Sequence, residues 1–213
     1  MSERQGQLGR AACGLLALCL AACGGPPRVS LDDVWPAAPL PYEDAYQRAT
    51  RTGSVTSGLD SVMTVAATLL TPEWRAAFVD EHTRRALLSA ADSTLLRNAE
   101  ELAASESWEL ELVVATTRTA WNDFAKRDRS MWRMTLVGDD GREVRPVTIV
   151  ADTRAREEVR AYFPRMGYFT RAYRVRFPRN GDDGRPLVTE SSDRLALKVG
   201  SGLGGVELIW LTQ

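Results

Sequence analysis

The chain has 213 residues, 44% of them hydrophobic, with a formal net charge of −1. This is ordinary globular composition with chain enough for one domain or two small ones, and the near-balanced charge argues against a general binder of nucleic acid or of membrane surfaces.

The first segment carries Arg4 and Arg10, then an apolar run from Ala11 to Ala22, the layout of an export signal. The run is interrupted by Gly14 and stops at Cys23-Gly24-Gly25-Pro26-Pro27, short of the roughly 20 apolar residues a spanning helix needs. Its last residues, Leu20-Ala21-Ala22-Cys23, resemble the lipobox of bacterial lipoproteins, in which a leucine and two small residues precede an obligatory cysteine. The resemblance covers only the first 25 or so residues. It implies cleavage before Cys23, diacylglycerol on its thiol and a further acyl chain, of the palmitate kind, on the new amino group. Membrane lipid is thereby the expected partner through Cys23. Gly24, rather than aspartate, implies sorting to the outer membrane of a Gram-negative cell, facing the periplasm or the cell surface. Cys13 and Cys19 would leave with the signal, so no disulfide is expected within the mature chain. Residues 1–22 are therefore read as signal peptide and 23–41, rich in Gly and Pro, as a flexible tether.

Residues 42–107 read as mainly helical. A short helix is expected over Tyr42–Thr50. Thr71-Pro72-Glu73 predicts a helix start, with threonine capping free amides and proline at the first helical position, running to about Ala90. Asp92 is the expected cap of a further helix, in which Leu95, Ala99, Leu102 and Ala103 form one apolar stripe.

From Trp108 the apolar period becomes two. Trp108, Leu110, Leu112 and Val114 alternate with Glu109 and Glu111, and similar alternation recurs at 132–136, 173–177, 195–199 and 206–210, with another strand around Val144–Val150. Thr153–Tyr162 reads as a helical connection closed by Pro164. Together these predict an α+β fold in which 108–213 form an antiparallel β-sandwich, with an immunoglobulin-like arrangement favoured. An echo of Ala67-Thr68 and Trp74 in Ala115-Thr116 and Trp121 raises the alternative that Val62–Leu70 is a strand of the same sheet and the helices are an insertion.

The chemical motifs point away from catalysis. Gly200-Ser201-Gly202-Leu203-Gly204-Gly205 matches a dinucleotide fingerprint in letters, yet only an alternating strand follows, so a hairpin turn is expected. Gly138-Asp139-Asp140-Gly141-Arg142 and Gly181-Asp182-Asp183-Gly184-Arg185 lack the spacing of a calcium loop and read as hairpin turns too. His82 is the single histidine and is expected on a helix surface. Glu73, Asp80 and Glu81 near it are the only carboxylate grouping a hydrolase could draw on there. No cofactor or metal site is expected. Of the six tryptophans, Trp108, Trp132 and Trp210 fall in register with core residues, whereas Trp35 and Trp121 are the better candidates for exposure.

The directional signal comes from arginine. Arg174 and Arg176 alternate with Tyr173, Val175 and Phe177, and Arg171 and Arg179 flank them, a candidate basic binding face for an acidic glycan or an envelope protein. The expected protein is a membrane-anchored envelope lipoprotein with a non-enzymatic binding or assembly module. The alternatives are an envelope hydrolase acting on peptidoglycan or lipid and a surface-exposed ligand-capture module.

Overall fold

The computed structural model describes residues 26–212, the side chain of Arg127 excepted; the lipobox and Cys23 lie outside that range. The fold is α+β, with helices and two mostly antiparallel five-stranded sheets.

The chain enters through β1 (Arg28–Val29) and α1 (Tyr42–Ala49), then makes a hairpin of β2 (Thr50–Ser57) and β3 (Asp60–Leu69). Two helices follow, α2 (Pro72–Ala86) and α3 (Ala90–Glu106), before β4 (Ser107–Thr116). After two short 3₁₀ turns come β5 (Arg133–Gly138), β6 (Glu143–Val144), β7 (Thr148–Ala151), α4 (Arg156–Tyr162), β8 (Thr170–Pro178), β9 (Arg194–Ser201) and β10 (Gly204–Thr212). One sheet has the order β2-β3-β4-β8-β7 and the other β1-β10-β9-β5-β6; every pairing is antiparallel except β1 with β10.

β2 and β3 lie within the 42–107 segment and share a sheet with β4 and β8 from the 108–213 segment, so the two segments build one structure. The helices α2 and α3 are an insertion between the neighbouring strands β3 and β4, as the Ala-Thr echo allowed. Residues 28–31, read from composition as part of the tether, instead carry β1 and bury Val29 and Leu31. An edge position tolerates the preceding prolines because their missing N–H need not join a ladder. The single strand expected over Val144–Val150 is broken at Arg145-Pro146 into β6 and β7, which belong to different sheets.

One cluster of buried side chains draws on both sheets. It joins Leu69, Leu110, Leu112, Val175 and Phe177 to Leu136, Leu195, Leu197, Leu208 and Trp210. Burial of each such side chain contributes about 1.5–3 kcal/mol. A second cluster covers the other face of the β3-β4-β8 sheet, where Tyr46, Trp74, Val159, Tyr162 and Phe163 from the helices meet Ala66, Val113 and Ala172. The central strand β4 is therefore buried on both faces.

The helix ends follow their caps. The Thr71 hydroxyl accepts from the Trp74 N–H at 3.2 Å, with Pro72 at the first helical position, and α2 stops at Leu87, which is left-handed with φ of 53°. Ser89, not Asp92, caps α3: its hydroxyl accepts from the Asp92 N–H at 3.1 Å and donates to the Asp92 carboxylate at 2.7 Å. The apolar stripe expected to pack is turned outward, with Leu95 66% and Leu102 60% exposed. α3 is instead held by polar contacts to α2, Thr83 with Ser93 at 2.9 Å and Arg75 with Glu100, because those are the groups α2 presents on that side.

The two sheets meet closely where β2 passes β10. Arg51 donates to Ile209 O at 2.8 Å and the Trp210 indole donates to Ala49 O at 2.6 Å. A Cβ at Gly53 would sit 2.5 Å from Val206 Cγ2 and 2.8 Å from Leu208 Cδ2. Gly53→Ala is expected to lower unfolding stability by about 1–3 kcal/mol, read by urea denaturation, whereas Gly202→Ala, with nothing within 4 Å, should stay within about 0.5 kcal/mol of the wild type.

Candidate functional site

Arg174 and Arg176 point to the helix side of their sheet, as the period of two requires, but acidic partners already stand there. In the β4–β8 ladder Arg176 is opposite Glu109 and Arg174 opposite Glu111. Arg174 Nε donates to Glu111 Oε2 at 2.7 Å and its Nη1 lies 3.5 Å from Glu109 Oε2; Arg176 pairs with Glu109 Oε1. From α2, Arg75 donates to Glu109 Oε2 at 2.9 Å and to Leu70 O at 2.9 Å, and also pairs with Glu100. Glu109 and Glu111 are 2% and 0% exposed, and Arg75 is 1% exposed. The alternating glutamates are thus interior residues beneath arginines.

Burial pushes the Glu109 carboxyl upward, but the Arg75, Arg174 and Arg176 guanidinium groups outweigh it and hold the group below the usual carboxylate range. Glu111 behaves oppositely. Burial, reinforced by the Asp152 charge, exceeds the pull of Arg174 and Arg154 and keeps its pKa raised. Glu111 Oε1 is buried and receives no N–H or hydroxyl donor. The Asp152 carboxyl is held low, because the hydrogen bonds and charge of Arg154 outweigh its burial. Arg154 Nε lies 3.0 and 3.1 Å from the two Asp152 oxygens.

Arg171 and Arg179 have the parity of Tyr173 and Phe177, so they lie on the other side of the sheet from Arg174 and Arg176, and at opposite ends of β8. Arg179 lies over the Trp108 ring at 4.1 Å and pairs with Asp33. Arg171 donates to Asn122 O at 3.4 Å beside a cavity of about 320 Å³, also lined by Asp123, Lys126, Ala151 and Tyr173. The Tyr173 hydroxyl donates to Asn122, lying 2.8 Å from Oδ1 and 2.9 Å from its carbonyl, and the Asn122 amide donates to Val114 O at 2.9 Å. This pair builds the cavity floor, leaving Arg171 and Lys126 as cations at its wall, with Asp123 3.8 Å from Lys126.

The remaining residues singled out in the sequence have structural partners. His82 Nδ1 is 2.7 Å from the Tyr162 hydroxyl and its ring stacks on Phe78 at 5.5 Å, half-buried in the helix layer. Glu73 pairs with Arg48, Glu81 with Arg84 and Arg85, and Asp80 lies 3.8 Å from Arg97. Trp35 and Trp121 are half-buried, under Arg97 at 5.5 Å and Arg118 at 4.8 Å. Both Asp-Asp-Gly segments are the same turn, with the aspartate accepting the N–H of the arginine two residues on at 3.0 Å and Gly141 and Gly184 at φ of 82° and 77°. The glycine-rich segment 200–205 is the β9–β10 hairpin. Among the described residues no group of three or more His, Cys, Asp or Glu could hold a metal ion. Arg75 and Asp152 went unread; the available signal was the matched alternation of Glu109/Glu111 with Arg174/Arg176.

Two substitutions separate the roles. Glu109, held low, adds stability above the usual carboxylate range and loses it as pH falls through its folded pKa; Glu111, held high, adds stability at acidic pH and loses it as pH rises through its folded pKa. Glu109→Gln is expected to cost about 3–5 kcal/mol, because it strips a buried charge from Arg75. Glu111→Gln removes the ionisable group but keeps a side-chain oxygen to accept from Arg174, so it should cost less than Glu109→Gln, about 1–3 kcal/mol. It should also remove the alkaline loss, as read by urea unfolding from about pH 4 to pH 9.

The sequence matches no protein-family model and no curated protein. A crystal structure of a novel protein of unknown function from Burkholderia pseudomallei is similar at a TM-score of 0.39 and 12% identity, over 79% of this chain and 80% of that one.

Proposed function

We propose that the protein is a lipid-anchored component of a bacterial cell envelope, acylated at Cys23 and sorted to the outer membrane, with a non-enzymatic binding or assembly module as its folded body. The observation that carries the reading is the complete Leu20-Ala21-Ala22-Cys23 box, placed five positions before the first strand at Arg28. Short spacing of this kind suits a body held close to the bilayer rather than displayed on a long stalk. The core cluster common to both sheets supports reading them as a sandwich, of which the immunoglobulin-like arrangement is the narrower version. Ligand capture is the second reading, favoured by the cavity beside Arg171 and Lys126, whose cations suit an acidic glycan or a small carboxylate.

Metabolic labelling with a palmitate analogue in a Gram-negative host tests the anchor, and pull-down from gently solubilised membranes tests the body. Label on the wild type and none on Cys23→Ser, with a reproducible envelope protein co-purifying from the wild type, is the expected outcome. Equal labelling of Cys23→Ser would sink the anchor. An acidic sugar that binds the wild type but not Arg171→Ala, with no protein partner recovered, would move the body to ligand capture.

A further inference from the structure

The geometry points to one end of the two sheets as the face that lies against the bilayer holding the anchor, an inference that rests on the lipid-anchor reading. The ladders define this end. It holds the β2–β3 turn at Gly58-Leu59, the start of β8 opposite the end of β4 (Thr170 with Ala115) and the β9–β10 turn. It also holds the start of β5, where Arg133 faces Gly200, and a Cβ at Gly204 would lie 3.1 Å from Val55 Cγ1, which brings the two sheets' ends together.

Three of the most exposed large apolar side chains among the described residues stand at its tips. Leu59 is fully exposed, Phe169 is 91% exposed and Tyr168 is 78% exposed. The Thr117 hydroxyl donates to Ser61 O, tying the segment after β4 to the hairpin that carries Leu59, and Phe169 is next to Thr170 on the strand beyond. The segments at this end carry Arg118, Arg129, Arg133 and Arg171, with Arg156 over the Tyr168 ring at 4.8 Å, alongside the carboxylates Asp60, Asp123 and Asp128. The loops of the opposite end carry more acids than bases, Asp32-Asp33, Asp139-Asp140, Asp182-Asp183 and Glu190, of which Asp33, Asp140 and Asp183 pair with Arg179, Arg142 and Arg185. A monomer exposes isolated apolar residues without consequence; what selects a bilayer here is their position on projecting turns rather than in a groove, with arginines on the neighbouring segments. Aromatic rings at headgroup depth and basic residues over anionic lipid are the two contacts that hold a protein face on a membrane surface.

The entry of the chain agrees. β1 is parallel to β10, pairing Arg28 with Leu211 and Val29 with Thr212, so it runs away from the basic end and the residues before it come from that side. Pro27 is held there by Arg51, which also donates to Ile209 O. In this register Pro26 is level with Ile209, five residues or about 17 Å from Gly204. The three residues from Pro26 back to Cys23 reach about 11 Å, most of that distance, while the acidic end lies in the opposite direction. An anionic leaflet attracts the basic end and repels the acidic one, so anchor, tips and charge set the same orientation.

The test uses the lipidated full-length protein in vesicles of phosphatidylethanolamine and phosphatidylglycerol, with a polarity-sensitive dye on Asp60→Cys, Tyr168→Cys or, at the acidic end, Glu190→Cys. Acyl mass on Cys23 and flotation with the vesicles are measured on the same samples. Severalfold stronger quenching by bromolipid at 60 and 168 than at 190 is expected, decreasing at 168 when Leu59→Ser and Phe169→Ser are combined. Floating protein in which all three dyes remain equally wet overturns the membrane face and leaves those tips to a protein partner. Absence of acyl mass on Cys23 overturns the anchor reading, and this orientation with it.

Discussion

Two glutamates in the middle of β4 decide how the helix side of the fold is assembled. β4 is buried on both faces, so Glu109 and Glu111 would each cost several kcal/mol of desolvation if left unpaired. The remedy requires three elements at once. β8 must lie beside β4 in the register that sets Arg176 against Glu109 and Arg174 against Glu111. α2 must bring Arg75 down onto Glu109, and β7 must end where Arg154 adds its positive charge near Glu111. A shift of one residue in the β4–β8 ladder would send the glutamates into the apolar core between the sheets. The network therefore selects one register as much as it stabilises it.

The helices divide into those that complete an apolar layer and one that does not. Trp74 and Phe78 of α2, Tyr162 of α4 and Phe163 just after it pack with ring centroids 5.0–5.7 Å apart, stacked or edge to face, and cover the small residues Ala66, Val113 and Ala172. Large rings over small sheet residues fill the layer. α3 adds Ala104 to the buried set and is attached through Arg75–Glu100 and Thr83–Ser93, so its leucines at 95 and 102 face water. The same arginine that neutralises Glu109 also fastens α3.

Charge is unevenly distributed along the strand direction, although the chain as a whole is close to neutral. Neutrality of the whole argued against a general membrane-surface binder, yet the loops that gather the arginines and those that gather the aspartate pairs sit at opposite ends of the sheets. Sequence distance hides this. Arg118 follows β4, Arg133 opens β5 and Arg171 lies at the start of β8, and only the ladders bring these positions to one end.

The sequence by itself determined the helix-then-strand identities wherever a local rule acts alone. The Thr71-Pro72 start, the alternation at Trp108–Val114 and Tyr173–Phe177, and the two Asp-Asp-Gly turns depend on a few neighbouring residues and their hydrogen bonds. It equally determined the lipobox, a pattern read within four positions. Only the tertiary structure decided which face of an alternating strand meets water. Glu109 and Arg174 both read as solvent-facing, and they turn out to satisfy one another because a period of two reports that a strand has two faces and not what covers each. The same holds for the stripe on α3, where 3.6-residue spacing shows a seam without showing a partner. It holds again for residues 28–31, which look like linker until β10 supplies a free edge for them to join.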